Sequence, residues 1–285
     1  MATSPLRIEG LRVEPPRMQR PRIEQSTDVR FIVITVGVAV AVFVAMLVFL
    51  EIGRNIGARA FAEYGQASHT GAGSASSAVY SLLALLMGFT FSGAATRFIA
   101  RQDLVVQEVG AIETAWSRLD TLPAAAQPKI RDGMRRYTDA VIAAHPKITD
   151  SPSEQRDRAD AAQAGHEVWA LATTACLAPD GEKARMLVLP SLGDMFSISE
   201  REHLSRRVHP PLIIFVLIGV LILAASIFAG FDMSTGAPNR FHIFGVAATI
   251  ALAVYLILEL EFPNRGLFRI RKIYNSLITL RATMQ

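Results

Sequence analysis

Residues able to do covalent chemistry are few and scattered along this chain. Its single cysteine, Cys176, excludes a disulfide framework and any multi-cysteine metal site within the chain. Six histidines are dispersed, and none pairs with a carboxylate or second histidine at helical metal-ligand spacing on a believable site. His166 and Glu167 are adjacent, so on a helix they face different directions. The histidines are therefore expected to be lone structural or surface groups, with His242 at a headgroup level. No zinc-protease signature, Walker loop, nucleophile elbow or dinucleotide-binding turn is found. Gly71-Ala72-Gly73-Ser74 is glycine-rich, but it precedes an apolar run and follows no strand, so it reads as a flexible extracytoplasmic loop. No catalytic residue, metal ligand or cofactor is expected, and the chain does not read as an enzyme.

What the spacing offers is non-covalent. Ser81, Ala84, Gly88, Ser92 and Ala95 recur every three or four residues, a stripe of small side chains that lets helices approach closely. Ser81, Leu85 and Phe89, four apart, lie on a neighbouring stripe. Two readings stay open. The small stripe packs helices within one subunit, or several copies surround an axis with Leu85 and Phe89 forming an apolar constriction that gates by dewetting. Arg97 and Arg101 follow where the apolar run ends, suited to a pore exit or to lipid headgroups.

The elements that would position these residues follow from hydropathy. Of the 285 residues 51% are hydrophobic and 19% charged, with mean hydropathy +0.31. The apolar residues gather into four blocks, which excludes a disordered chain and an ordinary soluble enzyme. Residues 31–50 hold no ionisable side chain and make a helix about 30 Å long, the thickness of a hydrocarbon core. Further spans are read at 78–96, from Pro210-Pro211 to residue 231, and at 241–258. The fold class is all-α: four transmembrane helices with a helical cytoplasmic bundle between the second and third. The domains are a disordered arm (1–30), spans one and two (31–96), the bundle (97–209), spans three and four (210–258) and a cytoplasmic tail (259–285). Lys and Arg set the sidedness: 26 of 29 fall in the arm, the central segment and the tail, so both termini and the bundle are expected in the cytoplasm. Ala58-Arg59-Ala60 imitates a signal-peptide cleavage site, but a twenty-residue apolar run exceeds the core of such a peptide, about 7–15 residues.

Phe98, Val105, Val109, Ile112, Trp116 and Leu119 form a heptad-like seam, and no turn signal separates it from the second span. One rod is expected over 78–121, leaving the bilayer near Arg97. A second cytoplasmic helix is read over 128–144 and closed by His145-Pro146. A third, opened by a Ser151-Pro152-Ser153-Glu154 cap, runs to about Leu177, and a fourth, interrupted near Pro190, runs over 182–208. Cys176 is expected in the core near Trp169.

The stretch Leu86, Met87, Gly88, Phe89, Thr90, Phe91, Ser92 to Arg97 and Phe98, followed by the long amphipathic helix, resembles the second helix of bestrophin anion channels and more closely that of bacterial bestrophin-like proteins. The fourth-span ending, with Glu259, Glu261, Phe262 and Pro263, and the closing Leu280 to Met284 are similar to that family's C-terminal pattern. The resemblance implies a homopentamer in a bacterial inner membrane, in contact with lipid and not with nucleic acid, passing small chloride-type anions passively. Its neck positions become Ser81, Leu85 and Phe89; Ser81 replaces an apolar residue, implying a wider or wetter neck. No calcium clasp is recognisable. Glu259 and Glu261 are assigned instead to ion pairs with Arg265 or Arg269. The central segment carries fifteen basic and sixteen acidic residues, so the +4 total does not argue for an anion path. The alternative function is a non-conducting, membrane-anchored regulatory or scaffolding protein.

Overall fold

The computed structural model describes residues 22–65, 72–145, 151–234, 240–262 and 271–284, and every regular element among them is a helix. Four are long and apolar enough to cross a membrane: α1 (Arg22–Tyr64), α2 (Ala72–Arg118), α6 (Leu212–Asp232) and α7 (Arg240–Glu261). Both α1 and α2 pack on α6 and α7. Met46, Leu83, Ile218, Ile222, Ala225 and Ala247 bury one another between them.

At one crossing the backbones of α1 and α6 touch. A Cβ added to Gly53 would lie 2.0 Å from the Ile227 carbonyl oxygen, and one added to Gly230 would lie 1.9 Å from the Leu50 carbonyl oxygen. With no side chain between them the helices gain close dispersion contact, the main attraction available where lipid is as apolar as leucine.

Helix α1 is longer than the apolar run that announces it. It starts at Arg22, inside the arm expected to be disordered over 1–30; residues 1–21 lie outside the described ones. Residues 22–30 contain neither glycine nor proline, so helical turns extend cheaply from the span once it is nucleated. At the other end it passes Glu51 and Arg54, which pair at 2.9 Å one turn apart, and stops at Gly65, whose φ is +60°. Charge ends a bilayer span without ending a helix. Likewise α2 begins at Ala72, so Gly73 and Ser74, expected in a loop, are helical, while Gly71 lies outside the described residues.

From there α2 runs unbroken through Arg97 to Arg118, about 70 Å, and a 3-10 turn over Leu119–Thr121 closes it. Its lower half joins α3 (Gln127–Ala144), α4 (Pro152–Leu177) and α5 (Glu182–Ser205) in an extramembrane bundle. The seam is what the bundle buries: Val105, Ile112 and Leu119 are buried, with Val109 and Trp116 packed against the core. Tyr137 and Trp169 meet the ring of Phe196 edge-on, and Cys176 is buried. Ser151 caps α4, its hydroxyl accepting the Glu154 amide at 3.2 Å.

One expectation about the bundle is corrected here. Helix α5 passes through Pro190 without interruption. The carbonyl that loses its amide partner belongs to Met186, on a face where both Met186 and Pro190 are exposed, so the loss does not leave a buried orphan. The tail carries a further helix, α8 (Arg271–Thr283), whose Leu277 and Leu280, with Met284 just beyond it, enter the bundle core.

Candidate functional site

Helix α2 packs with one side only. Leu83, Thr90 and Ala94 are buried against the rest of the protomer. Ser81, Leu85 and Phe89 are on the opposite side and uncovered, Leu85 being 53% and Phe89 66% exposed. Ala84, Gly88 and Ser92 are exposed too, and a Cβ added to Gly88 would meet nothing within 4 Å. The small-residue stripe therefore does not pack helices within one protomer, contrary to that reading. The stripe that does so, Leu83, Thr90 and Ala94, has a helical spacing of its own.

Arg97 and Arg101 are not presented to headgroups or to an open exit. Arg97 donates Nε (3.1 Å) and Nη2 (2.8 Å) to one oxygen of Glu261 at the end of α7. Arg101 is buried, and its guanidinium donates to the carbonyl oxygens of Glu261 (2.8 Å), Val208 (2.8 Å) and Ser205 (3.3 Å). A cation over carbonyls at helix ends is well placed electrostatically, so Arg101 ties the ends of α5 and α7 to α2. His209 Nδ1 lies 3.0 Å from the other Glu261 oxygen. Glu261 is thus paired within the fold, while Arg265 and Arg269, expected as its partners, lie outside the described residues.

Farther along α2, Glu108 enters a buried network the sequence does not announce. Its carboxylate is 2.6 Å from Nε2 of His145, the residue closing α3. His145 Nδ1 faces Arg206 Nη2 at 3.0 Å. A guanidinium only donates, so Nδ1 accepts from Arg206, which leaves Nε2 to donate to Glu108. Arg206 also donates Nε (2.8 Å) and Nη2 (2.6 Å) to the two oxygens of Glu202. His145 is thus not the lone histidine expected. Ligand atoms of Glu108, His145 and Glu202 lie within 4.8 Å of one another, as a metal site would require. Yet Arg206 already engages both Glu202 oxygens and the imidazole, and its positive charge fills the place a cation would take. The arrangement is a closed ion network joining α2, α3 and α5.

A second cluster adjoins it. His203 Nδ1 is 3.3 Å from Glu154 Oε1, both groups are buried, and Arg158 reaches Glu200 at 2.9 Å. Burial, and then the charges of Arg158, Arg207 and Arg206, hold the His203 imidazole below its ordinary range against the pull of Glu154. Burial pushes the Tyr137 phenol up, so it stays protonated.

A family model described as a Bestrophin-like domain matches residues 59–273. No curated protein matches the chain. Among solved structures, a tryptophan-to-alanine variant of a bacterial bestrophin homologue from Klebsiella pneumoniae is similar with a TM-score of 0.61 at 15% identity, over 86% of this chain and 98% of that one. An isoleucine-to-threonine variant of the same homologue gives 0.60 at 16% identity, over 85% and 100%. A proline-to-alanine variant of a protein described only as a membrane protein gives 0.59 at 16%, over 86% and 98%. At such identities the likeness speaks for the fold.

Proposed function

The chain belongs to the bestrophin-like family, and from that premise we propose that copies of it assemble around α2 into a pore that passes small ions passively across a membrane. The supporting observation is the uncovered face of α2. Leu85 and Phe89 are large apolar side chains that the protomer leaves exposed, on a helix whose other side it buries. Around a shared axis they form an apolar neck, with Ser81 as its wider, wetter end, that conducts when wetted and closes when dry. Ala84, Gly88 and Ser92 let neighbouring α2 helices approach. Five copies is the number the resemblance implies. Conduction needs a path of weak sites and a gate, so no covalent step, cofactor or metal is required. The concentration of Lys and Arg in the arm, bundle and tail supports putting these parts, and both termini, on the cytoplasmic side, and a bacterial inner membrane is the location the resemblance implies.

A non-conducting scaffold would have Leu85 and Phe89 buried within one protomer, and they are not. The mass of the purified complex in detergent, with potassium and chloride flux into liposomes, tests the reading. We expect a homo-oligomer whose flux rises when Leu85→Ala and Phe89→Ala are combined. A monomer, or an oligomer passing neither ion, overturns it. The resemblance implies chloride-type anions as the cargo. Nothing charged lines the neck, so the sign of the ion is set elsewhere on α2.

A further inference from the structure

We infer that Asp103 sets the sign of the permeant ion and that the ion is a monovalent cation, an inference that rests on the pore reading above. Eighteen residues separate Leu85 from Asp103. At about 100° and 1.5 Å per residue that is five full turns, so Asp103 stands in line with the neck, about 27 Å farther along α2. It is exposed, and it makes no ion pair among the described residues. If α2 carries Leu85 to a shared axis, the same rod carries Asp103 to the wall of the wider passage beyond the neck. Copies around that axis make a ring of carboxylates.

The rest of the exposed face has nothing to offset that ring. Among the exposed residues of α2 from Gly73 to Ser117 the only charged ones are Asp103 and Glu113, and Glu113 stands about 80° round the helix from Asp103. Every arginine of α2 is engaged within its own protomer. Arg97 is on Glu261, Arg101 is buried under three carbonyls and Arg118 donates to the Leu187 carbonyl at 3.1 Å. Turning Arg101 outward would abandon those bonds and leave helix-end carbonyls unsatisfied. Among the described residues, the exposed face of α2 therefore presents fixed negative charge and hydroxyls, with no cation of its own for a chloride to meet. Rings of Asp or Glu select cations in pores. Fixed charge of one sign, focused by low-dielectric walls, raises the local concentration of its counter-ion by about 10-fold or more.

The test is the reversal potential of the purified full-length protein in planar bilayers under a KCl gradient. We expect potassium to be favoured over chloride by about tenfold or more. Asp103→Asn should bring the ratio near one with the conductance retained, and Asp103→Lys should favour chloride. Glu113→Gln should leave the potassium preference in place. Raising KCl from about 0.1 M to about 1 M, which shortens the screening length from about 10 Å to about 3 Å, should weaken the wild-type preference. A chloride-selective wild type, or a potassium preference unchanged in Asp103→Asn, overturns the inference while the pore stands. Conductance to neither ion sinks the pore and the inference together.

Discussion

His203 lies in α5 with its ring buried, one carboxylate of Glu154 facing Nδ1 and arginines 158, 206 and 207 around it. Because the folded protein holds this imidazole below its ordinary value of about 6.5, acid protonates the unfolded chain first. Stability contributed by the neutral ring is present above about pH 6.5 and declines as pH falls through that value toward the lower folded one. The melting temperature of the detergent-solubilised protein should therefore drop between about pH 7.5 and about pH 5.5, and His203→Gln should flatten that slope. An identical slope in the variant would assign the acid sensitivity elsewhere. None of this is legible from the chain read in order. Glu154 precedes His203 by 49 residues, and His145 is 61 residues from the Arg206 that fixes its tautomer. Spacing rules reach only one or two turns along a helix, so His145 reads as a helix terminus and nothing more. Arg97 and Arg101 are misread for the same reason: a basic residue at the end of an apolar run suits headgroups locally, and only the arrival of α7 shows Glu261 beneath it.

Elements were legible where a local signal coincided with the tertiary demand. The α2 seam, the α3 periodicity and the Ser151 cap each state in sequence what the packing then uses, and the corresponding helices lie where they are read. Helix α8 was hidden although Ile273, Leu277, Leu280 and Met284 repeat at four, three and four residues. A short amphipathic run has no independent stability, and what stabilises this one is a groove formed by α2 and α3. The α1–α6 crossing escaped for a different reason. Gly53 and Gly57 lie past the charge at Glu51, where the apolar run ends, so their four-residue spacing does not read locally as a helix-packing signal. Gly230→Ala places a methyl group 1.9 Å from the Leu50 carbonyl oxygen, which a backbone cannot yield without separating the helices. We expect a loss of about 1–3 kcal/mol, read as a lower melting temperature in detergent. Gly245→Ala, where nothing lies within 4 Å, should leave the melting temperature unchanged or slightly raised.

At the scale of the whole molecule, the membrane half of one protomer is unfinished. Its four spans bury one side of α2 and leave Leu85, Gly88 and Phe89 uncovered, and lipid tails or further copies of the chain are the available covers. The two covers respond differently to bulk. Lipid is fluid and accepts a larger apolar side chain without loss, whereas a neighbouring helix drawn close by small residues does not. A ring closes only if each copy offers one face and receives another, so a single obstruction on α2 is repeated at every interface. Gly88→Ile is the discriminating change. Its Cβ meets nothing in the protomer, so helix content by circular dichroism should be preserved while the mass of the complex in detergent falls to that of smaller species. Gly88→Ala, adding one methyl group, should weaken assembly less. An unchanged mass for Gly88→Ile would mean that this stripe faces lipid. A helix that shows Gly88 to lipid turns Leu85 and Asp103, each about 60° away round the rod, to the same side, so that result would also remove the neck and the charged ring from any axis.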